Sequence, residues 1–317
     1  MDVRQIAERT IIETPVMIRR EYTYRVADFW MSISLPESWD VARLLPTFRP
    51  FLKDMGNADT LLLQCHVVPV PQVQLPDDMG EMIEQTSNDM GVIRLYWHAE
   101  GYRVVLSMDG SNHQHTMLAS KDFSKLTVWL STQDSAMGHM LSSFLRLAYS
   151  QAILSHDAVA IHASAVYHQG SAYLFMAESG TGKSTHSALW MQHIPGTALL
   201  NDDNPTVRIV DNIAWAWGTP WSGKTPCYKD MSFPIGGMVR LSQAAVNSFS
   251  MQEGIGAFVA IFPGCSLISQ DNVLRSLLYD TVSHLAELVT VGLLQCRPDA
   301  EAAILCHSAL TAVANQA

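Results

Sequence analysis

The chain has 317 residues, of which 48% are hydrophobic and 16% charged, with a formal net charge of −10. That mix supports a sizeable buried core and excludes a long disordered segment. Its acidity repels phosphate backbones and no dense Lys/Arg block offsets it, so nucleic acid is excluded as the expected partner.

At the usual ~100–200 residues per domain, this length predicts two domains or one large one. Residues 1–5 have no basic start leading into an apolar stretch, so no secretory leader is expected. The longest apolar run, residues 255–268, is broken by Pro263 and Gly264 and falls short of the ~20 residues that span a bilayer. The expectation is a cytoplasmic protein with no membrane partner. Cys65, Cys227, Cys265, Cys296 and Cys306 form no C-x-x-C pair and are expected to be reduced, small, buried residues. The sequence admits a homo-oligomer and does not specify one.

From residue 16 to about 131 the chain is strand-rich, with apolar runs at 61–63, 92–97 and 102–106 separated by Pro, Gly, Asn and Asp clusters. Met108-Asp109-Gly110 is expected to turn a hairpin. His113 and His115 flank Gln114 in what reads as a polar turn, where histidines are solvated rather than metal-bound. At Asp134 the period changes. Met137, Met140, Leu141, Phe144, Leu145 and Ala148 define a helix with a wide apolar face. A boundary here divides a smaller strand-rich N-terminal domain (residues 1–133) from a second domain (residues 134–317).

Residues 159–166 alternate like one strand, 167–170 form a tight turn, and 172–176 form a second strand. A further strand ends at Leu200. A hairpin folds around Asp211-Asn212, and the tail carries a helix (272–288), a strand (289–295) and a final helix (299–314).

Two segments compete for a phosphate-cradling motif, G-x-x-x-x-G-K-[ST]. The strict match is Gly218-Thr219-Pro220-Trp221-Ser222-Gly223-Lys224-Thr225, whereas Ala177 replaces the first Gly in Ala177-Glu178-Ser179-Gly180-Thr181-Gly182-Lys183-Ser184. A cradle needs a strand before it, small residues presenting backbone N–H groups, and a helix after it. Residues 177–184 meet all three conditions. Residues 218–225 do not, because Pro220 has no N–H, Trp221 is bulky and Pro226 blocks a helix. Ala at 177 implies a variant loop geometry. By their chemistry, Lys183 reaches the β- and γ-phosphates and the Ser184 hydroxyl ligates Mg²⁺.

Asp202 and Asp203 end an apolar strand, where an α/β sheet places its site. Successive strand residues point to opposite faces, so the two acids are expected to do different jobs. His162 sits mid-strand in the expected 159–166 element. Taken alone it reads as a structural histidine.

These motifs together resemble the HPr kinase/phosphorylase group and its shorter relatives, which share the core fold of phosphoenolpyruvate carboxykinases. The matching elements are the His162-Ala163-Ser164-Ala165-Val166 strand, the hairpin through Gly170, the loop through Lys183 to Thr185, and Asp202-Asp203. Gly218 to Lys224, and Cys296-Arg297-Pro298-Asp299, look like segments of uncharacterised members. The resemblance covers about residues 135–315. It implies an α/β fold with a mixed sheet and flanking helices. It also implies a nucleotide site of Glu178, Ser179, Gly180, Thr181, Gly182, Lys183, Ser184 and Thr185, and metal ligation by Ser184, Asp202 and Asp203. Asp202 would accept the proton of the attacking hydroxyl, and Asp203 would pair with His162 or assist the metal. Lys224 is a candidate for neutralising the transferring phosphate. Arg208, Arg240 and Arg275 are weaker candidates for the same role, and none of them is assigned it. Two departures stand out: Ala177, and the lack of the segment with which HPr kinases contact HPr.

The expected function is an ATP-dependent (or other nucleoside triphosphate-dependent), Mg²⁺-dependent kinase. Its acceptor is an unidentified hydroxyl on a peptide, small protein or metabolite. The alternatives are a carboxykinase-like lyase, whose extra Lys/His metal site is not found, and a nucleotide-binding module without turnover.

Overall fold

The computed structural model describes residues 18–57, 59–88, 90–99 and 101–314. Residues 1–17, and with them the expected start at residue 16, lie outside it. The first sheet comprises β1 (Arg19–Val26), β2 (Phe29–Pro36), β3 (Leu61–Val70), β4 (Glu81–Asn88), β5 (Gly91–His98), β6 (Gly101–Ser107), β7 (His115–Ser120) and β8 (Lys125–Ser131). A single-turn helix, α1 (Val41–Leu44), lies between β2 and β3. The strand order is β1-β2-β3-β8-β7-β6-β5-β4, parallel at β2/β3 and β3/β8 and otherwise antiparallel. Alternation drives it: in β3, Leu63, Cys65 and Val67 are buried while Gln64 and His66 are exposed.

Met108-Asp109-Gly110 does turn, with Ser111 N–H donating to Met108 O at 3.0 Å, but the connection runs on to residue 114. His115 is not solvated. It is fully buried and opens β7, with Nε2 2.9 Å from Asp134 Oδ2 and Nδ1 accepting from Ser131 N–H at 3.2 Å. The backbone donor fixes the tautomer, so Nε2–H donates to the carboxylate. Asp134 Oδ1 also accepts from Ala136 N–H at 2.8 Å, setting the entry to α2 (Met137–Ala152). This helix packs its apolar face on β3, β7 and β8.

The second sheet is built from β9 (Ala158–Ala160), β10 (Ala163–His168), β11 (Ser171–Met176), β12 (Ala198–Asp203), β13 (Thr206–Val210), β14 (Ile213–Trp217), β15 (Ser232–Gln243), β16 (Ser248–Gln252) and β17 (Val291–Cys296). Its path is β12-β10-β11-β15-β14-β13-β9, and β17 joins β15 and β16. The strands β11, β15 and β17 are parallel, so the sheet is mixed. Flanking it are α3 (Lys183–His193), α4 (Ile255–Ile261), α5 (Asn272–Leu288) and α6 (Ala300–Ala314). The architecture is thus α/β with mixed sheets and flanking helices.

Three hairpins turn on left-handed pairs: Ala27 (φ +50°) with Asp28 (φ +63°), Gln169 (φ +47°) with Gly170 (φ +81°), and Asp211 (φ +50°) with Asn212 (φ +61°). Two consecutive positive φ values match the twist of the flanking strands. The single strand expected over residues 159–166 is instead two. After Ala160 the chain leaves β13 and joins β11 and β12 from Ala163. Between them, His162 N–H donates to Gly264 O at 2.7 Å and Ile161 bridges Cys265. His162 is therefore at a break between strands, not mid-strand. Residues 161 and 162 keep the alternating pattern while changing pairing partners, which periodicity cannot register.

One apolar cluster runs from Tyr24 on the first sheet and Phe48 of the short helical turn Pro46–Phe51 through Phe144 of α2 to Met176, Met238 and Val291 on the second. A second cluster fills the far face, where Phe175, Val239 and Leu294 meet Trp190 of α3 and Cys306 and Leu310 of α6. Cys65, Cys227 and Cys306 are buried and free, but Cys265 and Cys296 are part-exposed, which corrects the expectation for those two. Among the described residues, no helix is long and apolar enough to cross a membrane.

Candidate active site

β11 leads into the loop at residues 177–182, and α3 starts at Lys183. Gly180 (φ +82°) and Gly182 (φ +119°) hold left-handed conformations that other residues adopt only under strain. Ala177 is buried and does not need positive φ, so no glycine is required at the position where the motif carries one. Lys183 Nζ donates to Ala177 O at 3.1 Å and Glu178 O at 3.5 Å. Burial lowers the pKa of Lys183, Asp203 and Asp202 oppose that, and Arg240 adds to it. The ammonium therefore lies within electrostatic reach of both acids and of a second cation. Glu178, Ser179, Gly180, Ser184 and Thr185 are exposed, and Thr181 and Gly182 half-buried.

β12 delivers the acids. Asp202 pairs in register with Ser164 and Asp203 with Ala163. Asp202 is only 3% exposed, and its Oδ2 accepts from Thr225 N–H at 3.1 Å. Asp203 Oδ1 lies 3.3 Å from His162 Nδ1, and its Oδ2 lies 2.9 Å from Arg146 Nη2. The Arg146 contact is an ion pair without an aligned hydrogen bond, and Asp203 Oδ2 is buried. Asn201, fully buried, locks the strand end: its Oδ1 accepts from Asp203 and Asn204 N–H, and its Nδ2 donates to Trp221 O at 2.9 Å.

The strict motif match, residues 218–225, wraps this strand end and leads into no helix. Gly223 N–H donates to Asp202 O at 2.7 Å, and a Cβ there would stand 2.7 Å from that same oxygen. A Cβ on Gly218 would meet Lys229 O at 2.1 Å. These glycines permit close backbone contact with neighbouring chain. Trp221 anchors the loop through Nε1–H to Ser142 O (3.1 Å) and ring contacts with Phe48 and Tyr149. Lys224 is exposed, between two residues whose N–H groups bond Asp202.

An octahedral Mg²⁺ is held by one or two carboxylates and completes its shell with water and phosphate oxygens. The buried, unaligned Asp203 Oδ2, the Asp202 carboxylate and the Ser184 hydroxyl are the hard oxygen donors that fit this ion. No cluster of three or more His, Cys, Asp or Glu forms a separate metal site among the described residues.

Sequence reasoning gave no role to Arg146, Asn201 or Gln243. Gln243 Nε2 donates to Thr181 O at the loop crest, 3.1 Å away. One signal was present: Arg146 is the sole Lys or Arg in the apolar helix α2.

No family model matches the sequence, and no curated protein is a significant match. Among solved structures, the Hpr(Ser) kinase/phosphatase from Coxiella burnetii shows 14% identity over 50% of this chain and 89% of that chain, with a TM-score of 0.29.

Proposed function

We propose that this chain is an ATP- and Mg²⁺-dependent kinase that moves the γ-phosphoryl group to a hydroxyl of a peptide, small protein or small metabolite. The observation carrying this reading is strand register: Met176, which leads into the loop before Lys183, and Asp203 both pair with Ala163, so the strand–loop–helix and the Asp202-Asp203 pair lie at the same end of the sheet.

Phosphoryl transfer is mostly positioning and charge stabilisation. The loop N–H groups and Lys183 hold the phosphates. When bound, Mg²⁺ neutralises the charge that develops between the β- and γ-oxygens. The acceptor oxygen bonds to the γ-phosphorus as the bond to the β,γ-bridging oxygen breaks, and ADP leaves. Asp202 takes the hydroxyl proton. Its side chain accepts one backbone hydrogen bond and keeps Oδ1 for that task, whereas Asp203 is engaged by His162 and Arg146. Lys224, on the loop over Asp202, meets the transferring group.

The test incubates the purified protein with γ-labelled ATP, Mg²⁺ and candidate hydroxyl acceptors, and follows ADP and labelled product. Lys183→Ala should lower turnover by about 10²–10³-fold. Wild-type turnover in that variant would sink the reading. Consumption of nucleotide that requires oxaloacetate would favour a carboxykinase-like lyase. Binding of ATP with no product would favour a regulatory module.

A further inference from the structure

Arg240 belongs to β15, the strand that runs parallel to β11, and it pairs in register with Met176, the last residue before the phosphate loop. Neighbouring strands are about 4.8 Å apart, so Arg240 leaves the sheet at the same edge as the loop and one strand to its side. Asp202 and Asp203 lie two strands to the other side, on β12. Gln243, three residues beyond Arg240, holds the loop crest at Thr181 O. β15 therefore supports the loop along its flank away from the acids.

Arg240 is half-buried, and its hydrogen bond is from Nη1 to Ala260 O at 3.2 Å. Among the described residues no carboxylate lies within ion-pair distance of it. Its charge instead acts on Lys183, which is bonded only to carbonyls. Two partly buried cations at one end of the sheet repel, and an anion bound there relieves that repulsion. A guanidinium, with five donors in a planar fork, is suited to a phosphate.

We infer that Arg240 is a phosphate-binding residue of the nucleotide site, contacting the diphosphate portion that the protein retains after transfer. The position supports this: the acids mark the side to which the γ-group leaves, and Arg240 stands on the opposite flank. The inference rests on the nucleotide-binding reading of residues 177–184.

The experiment measures binding of ADP and of ATP, each with Mg²⁺, to the full chain by calorimetry. Arg240→Gln should weaken both in parallel by about tenfold or more, with Arg240→Lys intermediate. At saturating ATP, kcat should stay within about threefold of wild type while KM rises, as for a contact made equally in ground and transition states. Since Arg240 also bonds Ala260 O on α4, the ADP-induced rise in Tm is read as well. That rise should shrink in Arg240→Gln whatever its basal stability. Unchanged ADP affinity in Arg240→Gln, with Lys183→Ala failing to bind, would overturn this inference alone. A wild-type chain that binds neither nucleotide would instead remove the reading on which it rests.

Discussion

Arg146 Nη2 stands 2.9 Å from Asp203 Oδ2, joining a helix that packs on the first sheet to an acid on the second. Both side chains are 14% exposed, so the pair is well shielded from solvent. The N-terminal part of the chain is thereby tied into the site, because α2 is positioned by β3, β7 and β8. Arg146→Met removes the ion-pair partner of a mostly buried carboxylate that keeps His162 at 3.3 Å. It is expected to destabilise the fold by about 1–3 kcal/mol and to slow transfer by about 10–100-fold, with Arg146→Lys recovering part of both. Thermal denaturation and a transfer assay check this; wild-type values for both in Arg146→Met would contradict it.

Ala177 and Gly182 should respond oppositely to exchange. Ala177→Gly is expected to leave nucleotide affinity near wild type, since position 177 does not use positive φ. Gly182→Ala forces a side chain into φ +119° at the start of α3 and should cost about 1–2 kcal/mol of local strain, with ATP affinity falling accordingly. Equal affinities for ATP in the two variants would refute the loop geometry.

Trp221 is 5% exposed and fastens the loop over Asp202 to α2. Trp221→Ala removes the bond to Ser142 O and the contacts with Phe48 and Tyr149. It should lower stability by about 3–5 kcal/mol. Trp221→Phe, which keeps one aromatic ring but loses the N–H and part of the buried volume, should lose less, about 1–3 kcal/mol. Denaturant titration of the three proteins measures both differences, and a fully stable Trp221→Ala would show that the loop is not anchored there.

His186, buried against Phe175 and accepting from Trp190 Nε1–H at 3.1 Å, has its pKa pushed down by burial to about 4. Between about 4 and the ordinary 6.5, the unfolded chain binds this proton and the folded one does not. Stability from this group is complete above the ordinary value and is lost as pH falls toward about 4. The Tm should drop between about pH 7 and about pH 4.5, and His186→Gln, which keeps an acceptor for Trp190, should flatten that slope. An identical slope in the variant would exclude His186 as a source.

The strand–loop–helix around residues 177–182 was legible because its signals are local. A strand, two left-handed glycines, a lysine and a helix occupy consecutive positions, and the structure has them in that order. The α2, α5 and α6 helices and the hairpins at residues 169–170 and 211–212 were legible for the same reason. Other features were not. His115 sits in a sequence as polar as any turn, and its burial depends on Asp134 arriving from 19 residues away. The break at His162 keeps strand-like alternation while its pairing partners change. Arg240 is one arginine among several until parallel pairing sets it beside Met176.

By itself the sequence determined which of two motif matches has a strand before it and a helix after it, since that depends on backbone conformation within about ten residues. It also determined that Asp202 and Asp203 face differently, because strand geometry reverses successive side chains. Only the tertiary structure decided what those acids meet. His162, Arg146 and Thr225 come from three distant segments, and their approach depends on how strands pair and how helices pack. Opposite charges act only over the few ångströms that such packing brings about.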